Sequence, residues 1–155
     1  MMKEEMHYTH RQLEHAGSRW LARVGFWWTC KYVAIEPGTP CKEHPDIIGF
    51  EYGGSHVIEC KTTRADFLRD FHKPWRASGD KPMGARRWWL CEEGLITRDD
   101  LAECGDGLLW IASDGDIQVI KDPSWRSEED RNMVGEFCIL YSMLNKVAEY
   151  RKTFF

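Results

Sequence analysis

The stretch HPDIIGFEYGGSHVIECKTT, residues 44–63, sets Asp46, Glu59 and Lys61 into two short apolar runs joined at Gly53-Gly54. Burying such groups costs several kcal/mol per ion unless they are paired or bind a metal. Side chains alternate along a strand, so Val57, Glu59 and Lys61 share one face while Ile58, Cys60 and Thr62 share the other. If the two runs form a hairpin, Asp46 at the far end of the first comes close to Glu59 or Lys61. Two hard carboxylate oxygens and a nearby carbonyl suit Mg²⁺ or Mn²⁺, which prefer oxygen ligands and keep several waters. A water so held is a nucleophile, and a lysine beside it can orient or deprotonate it and offset charge developing on a phosphate. These are the requirements of metal-dependent phosphodiester hydrolysis.

The rest of the chain must supply elements that hold these groups. Thr9 is positioned to cap a helix whose positions Leu13, Ala16, Gly17, Trp20, Leu21 and Val24 follow helical spacing. FWWTCKYVAIE has strand content and ends in the turn-rich EPGTPCKEHP. DIIGFE and HVIECKTT read as antiparallel strands, followed by a helix from about Arg64 to His72 that stops before Pro74. RRWWLC reads as a strand, TRDDLAEC as a short helix, and GLLWIASDGDIQVIK as a hairpin around Asp114-Gly115. Ser127 with Asp130 resembles a capping box for a final helix, whose Met133, Phe137, Leu140, Tyr141, Leu144 and Val147 form one apolar stripe. The expected fold class is α/β (α+β): a central mixed sheet of four or more strands flanked by helices. Its αβββαβ core carries a C-terminal β-hairpin and long helix.

With 155 residues and 43% hydrophobic content, residues 1–155 make one domain with one core. No run approaches the ~18 apolar residues of a membrane span, and the polar N-terminus does not read as a signal peptide. Six cysteines at no repeating spacing favour reduced thiols, so a cytoplasmic location is expected. The net charge of −4 hides an asymmetry: residues 61–90 hold eight Lys/Arg against three Asp/Glu, and residues 91–155 hold seven against fourteen. A basic segment beside a candidate site attracts a polyanion whatever the total charge.

Pro45-Asp46, twelve intervening residues and Glu59-Cys60-Lys61, on an αβββαβ order, resemble the PD-(D/E)XK nuclease superfamily, and the continuation through RRWWL is similar to its short bacterial and phage members. Glu59-Cys60-Lys61 is the sole Glu-x-Lys triplet among fourteen glutamates, and Asp46 the sole aspartate before residue 66. The resemblance implies that Asp46 and Glu59 are metal ligands, with the Cys60 carbonyl a third, and that Lys61 is the catalytic lysine. Glu14, in line with Gly17 and Leu21, is the candidate for the glutamate that many members add from the first helix; its alternative is an exposed partner of His10 at i,i+4. Arg64, Arg69, Lys73, Arg76, Lys81, Arg86 and Arg87 are the candidates for gripping phosphates, and Trp75 for stacking on a base. Cys41 and His44, with Cys30 upstream, could donate to zinc, but no second pair completes a familiar spacing.

The expected activity is that of a Mg²⁺- or Mn²⁺-dependent nuclease acting on DNA, with RNA equally compatible with the three residues. One alternative is a catalytically silent nuclease fold serving as a DNA-binding or host-factor interaction module, for example in a phage. Another is a structural protein in which the triad is a buried salt bridge. Monomer and homodimer both stay open, and the acidic C-terminal third reads as scaffold or dimer face.

Overall fold

A computed structural model describes residues 7–23, 29–71, 73 and 79–154. Helix α1, His10–Leu21, starts at a capping box in which Thr9 Oγ1 accepts from the Gln12 amide at 3.2 Å and the Gln12 side chain accepts from the Thr9 amide at 2.8 Å. Then come β1 (Tyr32–Ile35), β2 (Ile47–Glu51), β3 (Gly54–Cys60), α2 (Arg64–Phe71), β4 (Arg86–Glu92), β5 (Gly107–Ile111), β6 (Ile117–Lys121) and α3 (Met133–Phe154). Residues 99–101 and 128–130 form single 3-10 turns. The chain therefore has an α+β fold, built on one six-stranded mixed sheet in the order β1-β2-β3-β4-β5-β6. Strands β3, β4 and β5 run parallel, and the pairings outside them are antiparallel. Helix α2 occupies the β3–β4 crossover that a parallel pair requires.

Strand alternation sorts the core onto two faces. Ile47, Ile58, Cys60, Trp88 and Leu90 meet Leu13, Trp20 and Leu21 of α1. Ile48, Val57 and Trp89 point the other way, where Trp89 packs with Phe67 of α2 and Val57 and Ile48 with Ile139 of α3. Gly17 sets how closely α1 lies on the sheet: a β-carbon there would stand 2.7 Å from Ile47 Cδ1 and 3.1 Å from Leu90 Cδ2.

Four local expectations need adjustment. The β2–β3 turn is Tyr52-Gly53, with Gly53 at φ 82°, while Gly54 already pairs with Glu51. The expected short helix around residues 97–104 is only a 3-10 turn. Ser127 donates to Asp130 at 3.0 Å within the 128–130 turn and does not cap α3; the cap is Asn132, whose Oδ1 accepts from the Gly135 amide at 2.9 Å. Extended Arg131 interrupts the helix because its guanidinium is drawn inward to Glu136 at 3.1 Å and to the Arg126 carbonyl at 3.1 Å. Finally, the expected α3 stripe is not one buried face: Leu140 packs on the body beside Ile139 and Met143, while Phe137, Tyr141, Leu144 and Val147 stay exposed. Phe26 to Trp28 of the first expected strand, and His72 of the second helix, lie outside the described residues.

Candidate active site

The β2–β3 ladder positions the central residues. Its last pair is Ile47 with Ile58, so Asp46 stands one step beyond, opposite Glu59, and its Oδ2 accepts from the Cys60 amide at 2.8 Å. Asp46 Oδ1 turns toward α1, 3.4 Å from His10 Nε2. Glu59 and Lys61 share the opposite face with Trp89, and the strand reaches Lys61 because its amide still bonds the Leu90 carbonyl of β4 at 2.9 Å. The three groups thus gather at one end of the sheet, with Asp46 straddling the edge between its two faces.

Glu59 is buried, with Oε1 3.4 Å from Arg87 Nη2. Arg87 has a tighter partner, Glu43, at 2.6 Å, and also donates to the Met83 carbonyl at 2.8 Å. Burial pushes Glu59 up to about 8; Arg87 opposes this, while Asp46, Asp70 and Glu43 add to it. Lys61 Nζ lies 3.9 Å from Asp70 Oδ2 and 5.8 Å above the Trp89 ring. Lys73 also pairs with Asp70. Burial disfavours the charge on Lys73, but Asp70, Glu59 and Asp46 together hold it protonated. Beside these groups opens a cleft of about 910 Å³, lined by His10, Lys61, Asp66, Arg69, Asp70 and Lys73 among others.

Glu14 sits on the other side of Asp46. It is 3% exposed, which replaces the expectation of an exposed helix partner, although the His10 contact at i,i+4 is present at 3.6 Å. Its Oε2 is buried and receives no hydrogen bond. Burial raises the Glu14 pKa; His10 lowers it, and Glu36 and Asp46 raise it. His10, Glu14 and Glu36 bring one donor atom each within 4.8 Å of one another, a grouping able to hold a cation. Sequence reasoning missed Glu36, and its signal is conformational: it is the sole non-glycine residue with positive φ (44°) among the described residues. The local chain is held there by the Glu36 amide donating to the Asp46 carbonyl at 2.7 Å. Asp70 was also missed, and only the docking of α2 over β3 reveals it. The cysteines and histidine weighed for zinc, Cys30, Cys41 and His44, form no such grouping among the described residues.

The basic segment does not form one surface. Arg87, expected to grip a phosphate, is 2% exposed and neutralises Glu43 and Glu59 inside the protein. Arg86 lies beside His56, toward the opposite end of β3 from Lys61, paired with Glu51 at 3.4 Å and stacked over Trp125 at 4.8 Å. Lys81 donates to the Glu129 carbonyl in a separate hollow near the start of α3. Arg64 is exposed but forks onto Asp100 at 2.9 and 3.0 Å. Arg69, paired with Asp66, and Lys73 remain at the cleft. Trp75 and Arg76 lie outside the described residues. The split has a simple cause: the parallel β4 begins level with His56, which puts Arg86 at the end of β3 away from Lys61, while Arg87 on the other face turns inward to Glu59 and Glu43.

No family model matches the chain, and no curated protein does. Among solved structures it is similar to the SPO1766 protein of unknown function from Silicibacter pomeroyi, at 19% sequence identity and a TM-score of 0.63. The match covers 92% of this chain and 88% of that one. At that identity the likeness shows the fold. No helix among the described residues is long and apolar enough to cross a membrane.

Proposed function

We propose that the chain is a metal-dependent nuclease of PD-(D/E)XK type, acting on DNA. The observation that carries this reading is the meeting of Asp46, Glu59 and Lys61 at one sheet end, beside a 910 Å³ cleft with Arg69 and Lys73 on its wall. The donor set fits a hard divalent cation. Carboxylates outnumber the cations available to them: burial first, and then Asp46, Asp70 and Glu43 against the opposing Arg87, keep Glu59 inclined to hold its proton. Mg²⁺ or Mn²⁺ held by Asp46 and Glu59, with the Cys60 carbonyl as a third donor, would balance that charge and supply water as nucleophile. The Cys60 amide fixes Asp46 by holding Oδ2, and a cation bound at Oδ1 would replace the 3.4 Å contact of that oxygen with His10 Nε2. Lys61 orients the attacking water and offsets charge developing on the phosphate, once its ammonium leaves the long 3.9 Å contact with Asp70. Arg69 and Lys73 steer the phosphate backbone into the cleft.

The test is incubation of the purified protein with linear, branched and single-stranded DNA and with RNA, in Mg²⁺ or Mn²⁺ and in EDTA. Cleavage should need the metal and be lost in Asp46→Asn. A second reading has support of its own: Glu59 already contacts Arg87, and Lys61 already contacts Asp70, as expected of a fold kept as a binding module. A DNA mobility shift that persists in EDTA, with no cleavage under any metal, would favour it.

A further inference from the structure

Seven of the twelve large apolar side chains exposed among the described residues lie on α3, between Met133 and Tyr150, each 41 to 71% exposed. Residues 144–153 are exposed on every side, so the last turns of the helix leave the body of the protein. A helical segment shorter than about 12–15 residues is marginal in water without tertiary packing. This one nevertheless carries Leu144, Val147 and Tyr150 where a solvated helix would carry polar groups.

The spacing of the exposed residues is specific. Val134, Phe137, Tyr141, Leu144 and Ala148 are separated by three, four, three and four residues, the seam of a left-handed helix pair. No charged residue interrupts that seam. Charge lies at its ends and differs in net sign: Glu128, Glu129 and Asp130 are exposed just before α3, and Lys146, Arg151 and Lys152 outnumber Glu149 among the exposed charges near its end.

We propose that α3 is a self-association helix, pairing antiparallel with α3 of a second copy of this chain. The occupant follows from self-complementarity. In an antiparallel pair crossing near Tyr141, the acidic turn of each copy lies against the basic end of the other, and the helix dipoles oppose. One patch then serves both subunits, as a two-fold interface requires. The seam side chains Val134, Phe137, Tyr141 and Leu144 at these exposures present on the order of 500 Å² per copy, or about 1,000 Å² for the pair, the lower bound of a specific interface. The inference concerns the face of α3 turned away from the sheet and does not depend on the nuclease reading.

Sedimentation of the full chain should give the mass of a dimer, and Phe137→Glu with Leu144→Glu should give a monomer with the sheet intact by circular dichroism. Charge provides a test free of core changes. Arg151→Glu with Lys152→Glu should weaken the dimer at least tenfold, and mixing with Glu129→Lys/Asp130→Lys should restore it as a heterodimer. A monomeric parent, a dimer indifferent to Phe137→Glu and Leu144→Glu, or a failure of the two charge-reversed chains to rescue each other would overturn the proposal.

Discussion

Strand β3 carries buried ionisable groups at both of its ends, and the two ends are solved differently. At the first, Trp88 Nε1 donates to His56 Nδ1 at 3.1 Å, leaving the proton on Nε2 for Glu51 at 3.1 Å, and Arg86 completes the set by reaching Glu51 and lying over Trp125. One carboxylate meets one guanidinium across a neutral imidazole. Burial brings His56 down to about 4, the Glu51 contact opposing it. At the second end, Asp46, Glu59, Glu43 and Asp70 crowd Arg87, Lys61 and Lys73, and across the sheet edge Glu14 keeps an oxygen with no donor. A polar network with every member satisfied rigidifies a core, whereas one with excess like charge strains it. The balanced end is therefore structural, and the unbalanced end is where a cation or a phosphate would change the energy most.

The contrast breaks most forcefully at Arg87. Arg87→Ala leaves Glu43 and Glu59 buried without a counter-ion, and a stability loss of about 3–5 kcal/mol is expected in chemical denaturation. A small loss, accompanied by weaker DNA binding, would return Arg87 to a phosphate-gripping role.

At the balanced end, His56 should make stability fall with acid. Its folded pKa is about 4, below the ordinary value near 6.5. The unfolded chain therefore binds the extra proton between those limits, and stability is full above about pH 6.5 and drains as pH falls toward 4. The scale is about 3 kcal/mol. Glu59 acts oppositely: with a folded pKa raised to about 8, it lowers stability as pH rises from its ordinary range toward 8. The His56 slope is best read in the Glu59→Gln background, and His56→Gln should flatten it there. A slope that survives His56→Gln would place the titration elsewhere.

Lys61→Ala separates function from fold. The expected loss is on the order of 100-fold in single-turnover cleavage, with Mn²⁺ binding by calorimetry kept or slightly improved because an ammonium has left the site. Cleavage at the parental rate would remove Lys61 from the chemistry. Glu59→Gln, by contrast, should stabilise the metal-free protein at pH 8 by on the order of 1 kcal/mol while abolishing cleavage, the usual exchange of stability for a charged site. Equal melting temperatures for parent and variant at pH 8 would mean that Arg87 fully compensates Glu59.

The smallest effect is expected at Arg64. Its fork onto Asp100 is solvent-exposed, and such pairs add little. Arg64→Ala should leave the melting temperature within error of the parent, and a clear drop would give that pair a structural part.

Much of this organisation is legible in the residues, in proportion to how local its cause is. The period-2 runs imply the β2–β3 hairpin, but the residues suggest a Gly53-Gly54 turn where Tyr52-Gly53 forms it, and that one-residue shift of the turn is what sets Asp46 opposite Glu59 and not Lys61. The Thr9–Gln12 capping box is equally local. Long-range docking is not legible in this way. Asp70 reaches Lys61 only because α2 folds back over β3, and Glu36 joins His10 and Glu14 only because β1 ends beside the N-terminus of α1.

The sequence by itself therefore determined the α+β class, the presence of the central strands, and the approach of Asp46 to the Glu59–Lys61 end of their hairpin. These follow from alternation, turn chemistry and apolar spacing within about twenty residues. Tertiary structure decided which charges are available. It sent Arg86 and Arg87 to pair with Glu51 and Glu43, left Arg69 and Lys73 at the cleft, and turned most of the α3 apolar stripe outward. The reason is that periodicity states that a side chain has a face, while only packing states whether that face meets the core, a counter-ion or water.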